Sequence, residues 1–123
     1  MGTSVLVVDD EENFLVLLDW MLRRQGFNVK TASNAYQALN LLDEETFDLA
    51  ILDIQMYPMD GIRLLSELRK RSPSTPVIMT TAYPGPDALS ECMKHGADTL
   101  LAKPVDLDEL NNVAHALSRI KHA

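Results

Sequence analysis

The stretch Leu49-Ala50-Ile51-Leu52-Asp53 sets four apolar residues directly before one carboxylate. An unbroken apolar run of this length reads as a strand covered on both faces, the usual condition in a parallel sheet. Asp53 then falls at the C-terminal end of the strand, the rim where open α/β sheets bind ligands. Val5-Leu6-Val7-Val8 has the same form and runs into Asp9-Asp10.

Working outward, short apolar runs alternate with amphipathic segments. Strand one spans Ser4 to Asp9, strand two Phe27 to Thr31, strand three Leu49 to Asp53, strand four Val77 to Thr80 and strand five Thr99 to Ala102. The alternation of Phe27, Val29 and Thr31 with polar residues places strand two at a sheet edge. Phe14, Leu15, Leu18, Met21 and Leu22 recur at helical spacing in a helix from Glu12 to Gln25, which Gly26 ends as a left-handed cap. Ser33 or Asn34 caps helix two, and Asp60 caps helix three. A short helix four runs from Asp87 to His95 and stops at Gly96. Asp106 and Glu109 have capping-box spacing before helix five, whose stripe is Leu110, Val113, Ala114, Leu117 and Ile120.

Five strand–helix units predict an α/β fold with a doubly wound, five-stranded parallel sheet. Right-handed crossovers and one reversal of strand order favour 2-1-3-4-5. Strands one and three then lie side by side at the reversal, and Asp9, Asp10 and Asp53 converge in one crevice. We expect a single domain over residues 1–123.

Composition narrows the function. Hydrophobic residues make up 46% of the 123 and charged residues 24%, with a net charge of -7. Such a balance argues against direct nucleic-acid binding or an anionic membrane, both of which need a basic patch. No apolar run approaches the ~18 residues of a membrane span, and the N-terminus lacks the regions of a signal peptide. The lone Cys92 allows no intrachain disulfide, which fits a reducing, cytoplasmic setting. Cys92 lies with Leu89 and Met93 on a helix and reads as core; Trp20 reads as packed or partly exposed on helix one. His95, His115 and His122 lack ligand spacing and read as surface residues.

Like charges crowded together disfavour one another: a pair ~4 Å apart costs about 4 kcal/mol at an effective dielectric of ~20. Three carboxylates in one crevice therefore raise their pKa values or recruit a cation. Oxygen ligands without Cys or His select a hard ion, with Mg²⁺ the first choice. Taken singly, Asp10 reads as a helix cap, Asp53 as a turn residue and Lys103 as a solvated lysine. Charge at three strand ends together reads as one site.

With these residues in place, the chain resembles the CheY-like receiver domain of two-component response regulators. The matching pieces are Val7-Val8-Asp9-Asp10-Glu11, Asp53 followed by Met56, Met59, Asp60 and Gly61, Thr81-Ala82 after strand four, and Lys103-Pro104 after strand five. The resemblance covers essentially the whole chain and implies a flavodoxin-like fold. It implies that Asp53 is the phosphoacceptor, taking a phosphoryl group from a phosphohistidine on a histidine kinase. Asp9, Asp10, Asp53 and the backbone carbonyl of Gln55 are then the Mg²⁺ ligands. Thr81 is the hydroxyl residue that turns toward the phosphoryl group, although Thr80 could replace it on chemistry alone. Lys103 is the cation that pairs with that group, and its bond to Pro104 is commonly cis in the family. The implied protein is a phosphorelay switch rather than an enzyme with an outside substrate, and a fused or separate output domain is its natural companion. Helix five could contribute to a homodimer, but the sheet it covers already explains its apolar stripe.

The sequence also departs from the family pattern. Tyr57 stands where the commoner loop has Pro, and Pro58 follows it; Leu100 stands where many members carry a switching aromatic; Val105 replaces a more frequent Phe. Tyr83, two residues past Thr81, is expected to hinder the water that hydrolyses the acyl phosphate. Three rivals compete. A haloacid-dehalogenase-type phosphatase needs an Asp-x-Asp pattern that Asp9-Asp10 does not supply. A flavodoxin-like nucleotide binder needs a phosphate-cradling loop where Asp9-Asp10-Glu11-Glu12 stands. A degenerate receiver would serve only as a protein-interaction module.

Overall fold

The computed structural model describes residues 2–120, so His122 lies outside the described residues. Five strands and five helices alternate: β1 (Ser4–Val8), α1 (Glu12–Arg24), β2 (Asn28–Ala32), α2 (Ala35–Glu44), β3 (Leu49–Asp53), α3 (Gly61–Arg71), β4 (Val77–Thr81), α4 (Pro86–Lys94), β5 (Thr99–Ala102) and α5 (Leu107–Leu117). The strands form one parallel sheet in the order β2-β1-β3-β4-β5. The expected doubly wound, flavodoxin-like α/β fold is what the chain adopts. All five residues of β3 are buried, as are all five of β4. A strand with partners on both sides and helices over both faces has no solvent side on which to alternate.

One core, beneath α2, α3 and α4, holds Leu6, Val8, Leu52, Leu64, Leu65, Leu68, Met79 and Cys92. The other, beneath α1 and α5, holds Val5, Val7, Leu18, Leu22, Ile51, Ile78, Leu101 and Leu110. Cys92 is thus a core residue, while Trp20 is mostly exposed beneath the Arg24 guanidinium. Asn34 Oδ1 accepts from Gln37 N at 2.9 Å, and Asp60 Oδ1 from Arg63 N at 2.9 Å, satisfying first-turn donors. Asp106 Oδ1 accepts from Glu109 N at 3.1 Å. Gly26 (φ 95°) and Gly96 (φ 98°) end α1 and α4 in the left-handed region.

Several boundaries move from expectation. Strand two begins and ends one residue later, and it buries Ala32 rather than Thr31. Strand four runs on to Thr81, which puts both threonines in the sheet. Helix five ends at Leu117, leaving Ile120 beyond it and half-exposed. At the rim opposite the carboxylates, Arg69 braces two loops. Its guanidinium donates to Gly96 O at 2.6 and 3.0 Å and to Thr75 O at 2.5 Å, beside Asp98 at 3.6 Å.

Candidate functional site

Three strand ends are fixed by backbone hydrogen bonds just beyond their last side chains. Asp9 N donates to Ala32 O at 3.1 Å, Ile54 N to Thr80 O at 2.9 Å, and Lys103 N to Thr81 O at 2.7 Å. The ladder that buries the apolar residues thereby aims the polar ones into one crevice. Carboxylate oxygens of Asp9, Asp10 and Asp53 all lie within 4.8 Å of one another. Asp9 and Asp53 are buried; Asp10 is exposed at the mouth. Asp10 does not cap α1, whose Ncap is Glu11 with no side-chain bond. Instead Asp9 Oδ1 accepts from Glu11 N at 2.9 Å, turning the chain toward the helix.

Lys103 reaches across the sheet from the end of β5. Its Nζ donates to Asp9 Oδ2 at 2.7 Å and sits 3.5 Å from Asp53 Oδ1. It also lies 4.9 Å from the centroid of the Phe14 ring, a favourable seat for a cation. Burial disfavours the Lys103 charge, but the hydrogen bond to Asp9 and the charges of Asp53 and Asp9 outweigh it, so its pKa is raised. Asp53 is pushed up to about 6, first by burial and then by the Asp9 charge; Lys103 and the Gln55 backbone N–H pull the other way. Its Oδ1 accepts no hydrogen bond.

An oxygen-only set, with a buried carboxylate oxygen in it that accepts no hydrogen bond, fits a hard divalent cation such as Mg²⁺. Asp9, Asp10 and Asp53 would hold it, with the Gln55 carbonyl at the adjoining loop. The loop itself is shaped by Gly61, whose N donates to Ile54 O at 2.9 Å. A Cβ at Gly61 would stand 2.0 Å from the Asp53 backbone oxygen, so the return of the loop requires glycine. Tyr57–Pro58 and Lys103–Pro104 are both cis.

Thr81 is buried and its hydroxyl donates to Gln55 Oε1 at 3.0 Å while accepting from Tyr83 N at 3.0 Å. Gln55 Oε1 also accepts from Ala82 N at 3.2 Å. The Gln55 amide therefore joins the β3–α3 loop to the β4–α4 loop, a role sequence reading missed, since it assigned Gln55 only a backbone carbonyl. Helical spacing likewise gives Phe14 a place on the α1 stripe but not its place beneath Lys103. The Tyr83 ring is exposed, and Leu100 is partly buried against the core beneath α4.

Comparison with known proteins agrees with this geometry. The family described as "Response regulator receiver domain" matches residues 5–115. The transcriptional regulatory protein ZraR of Klebsiella oxytoca is 43% identical over 107 residues, covering 87% of this chain and 24% of that protein. The chain thus spans about a quarter of the length of the first curated relatives it matches. The receiver domain of Francisella response regulator 1452 superposes with a TM-score of 0.90 at 31% identity, covering 96% of this chain and 98% of that one. A response regulator from Burkholderia pseudomallei, solved with a phosphorylated aspartic acid and a calcium ion, gives 0.84 at 28% identity over 95% of this chain and 72% of that one.

Proposed function

The chain belongs to the response regulator receiver domain family, and on that premise we propose that Asp53 is its phosphoacceptor. The observation that carries the reading is the convergence of Asp9, Asp10 and Asp53 with the Lys103 ammonium at one sheet rim. A phosphohistidine on a histidine kinase is the proposed donor. Asp53 attacks phosphorus in line through a carboxylate oxygen, and the bond from phosphorus to the histidine nitrogen breaks. Burial keeps bulk water from competing, and Lys103 supplies positive charge to the transferring oxygens. Mg²⁺, when bound, offsets the negative charge that gathers on those oxygens. Thr81 releases Gln55 Oε1 to donate its hydroxyl to the incoming group.

The proposed unit is one receiver domain over residues 1–123, acting in the cytoplasm. It switches states by its own phosphorylation and hydrolysis and turns over no outside substrate. We assign its output to a further domain, since the chain matches only 24% of a relative named as a transcriptional regulatory protein. The surface we propose for docking the kinase is on α1. Val16, Leu17 and Trp20 are exposed on α1, and Leu17 also lines a groove of about 440 Å³ with Phe14, Lys103 and Val105.

Incubation with acetyl phosphate and Mg²⁺, followed by intact mass, tests the reading. Gain of one phosphoryl group, absent in Asp53→Asn, is the expected result. Uptake that persists in Asp53→Asn rejects it.

A further inference from the structure

Thr80 is the residue of the crevice that the reaction above leaves unused. It is fully buried, and its Oγ1 has no hydrogen-bond partner. It pairs in register with Asp53 on one side and Leu101 on the other. Side chains two residues apart on a strand share a face. Asp53 follows Ile51 by two and Thr80 follows Ile78 by two, and both isoleucines belong to the core beneath α1 and α5. Asp53 and Thr80 are therefore neighbours on that face, on strands ~4.8 Å apart. Since β4 lies between β3 and β5, Lys103 passes over β4 to reach Asp9 and Asp53.

Oγ1 of Thr80 and Oδ1 of Asp53 thus belong to paired residues on one face, and neither takes part in a hydrogen bond, although Lys103 Nζ stands 3.5 Å from the Asp53 oxygen. A buried hydroxyl without a partner destabilises a fold, and valine would fill the same shape without that cost. Thr81 cannot serve Asp53 in its present state, because its one donor is committed to Gln55. A turn of the Thr80 side chain about χ1 would bring its hydroxyl toward Asp53, where the hydrogen can rotate to suit the acceptor. We infer that Thr80 is a positioning residue for Asp53, its hydroxyl donating to the Asp53 oxygen that carries no phosphoryl group. The inference rests on Asp53 being the acceptor.

The consequence lies in hydrolysis. Water oxygen bonds to phosphorus as the bond from phosphorus to Asp53 breaks. The bonding pair stays with Asp53, which leaves as a carboxylate, and the water proton passes to the released phosphate or to solvent. A hydrogen bond to a carboxylate is stronger than one to an ester carbonyl. Thr80 therefore stabilises the leaving group more than the phosphorylated state, and it speeds decay.

The test compares wild type, Thr80→Val and Thr80→Ser, each loaded with acetyl phosphate and Mg²⁺, desalted and followed by intact mass. Thr80→Val should melt at or above the wild-type temperature, yet its phosphorylated form should last about three to ten times longer. Thr80→Ser should return the lifetime to near wild type. An unchanged lifetime in Thr80→Val overturns the assignment, as does a lower melting temperature with no rescue by serine. Failure of the wild type to take up phosphoryl at all rejects the acceptor reading and Thr80 with it, so the two failures are distinguishable.

Discussion

Asp53 sits under opposing demands. The crevice that shields it from water also makes its charge unfavourable, and its carboxyl is held up at about 6. The unfolded value is near 3.8, so the folded state holds the proton more tightly. A raised carboxyl pKa favours folding while the group is protonated, and that contribution is lost as pH rises through about 6. Asp53→Asn removes the charge at every pH. Without divalent metal, the variant should therefore be more stable than wild type at pH 7.5, by roughly 2 kcal/mol. The gap should close toward pH 4, where the wild-type carboxyl is protonated. Denaturant melts at the two pH values check this; an equal gap at both would show that charge is not the cause. Tyr83 makes a separate prediction. If its ring obstructs hydrolytic water, Tyr83→Ala should shorten the phosphorylated lifetime severalfold, read by the same decay measurement.

Strands and helices carry their own lesson. Strand identity was legible because β3 and β4 are covered on both faces, and such strands leave unbroken apolar runs. The charged part of the site was legible for a related reason, since a carboxylate or lysine closing an apolar run stands out. Gln55, Phe14 and Thr80 were not legible in their observed places. Their placement depends on how distant segments meet, and periodicity carries nothing about that. Phe14 satisfies the helical pattern equally well whether it packs in the core or lies under an ammonium. The β3–α3 loop is a further case, where Gly61 is required by close approach rather than by a left-handed backbone. Gly61→Ala would press a methyl group into the Asp53 backbone oxygen. Overpacking of this kind costs about 1–3 kcal/mol or more. We expect a melting temperature lower by several degrees, together with slower phosphoryl uptake because Asp53, the proposed acceptor, is displaced.

Across the whole molecule, the site exists only when the fold is complete. Asp9 and Lys103 are 94 residues apart in sequence and 2.7 Å apart in space. A cation that needs Asp9, Asp10 and Asp53 together binds the folded chain and not the unfolded one, so it must stabilise the fold. At one hundred times its dissociation constant, such a ligand adds about 2.7 kcal/mol. Mg²⁺ should accordingly raise the melting temperature in a concentration-dependent way, and Asp10→Asn should weaken that response. A melting curve indifferent to Mg²⁺ would remove the metal from the proposed chemistry.

The bridge from Lys103 to Asp9 behaves as a tether that runs from the end of β5, at one edge of the sheet, to the end of β1, three strands away. If the ammonium trades Asp9 for an anion held at position 53, whose carboxylate is already 3.5 Å away, its anchorage passes from β1 to the neighbouring β3. Such a change would be felt where β5 packs against α4, while the Arg69 brace secures the opposite rim. A phosphoryl group taken up at the centre of the sheet would in this way alter the tension along one margin.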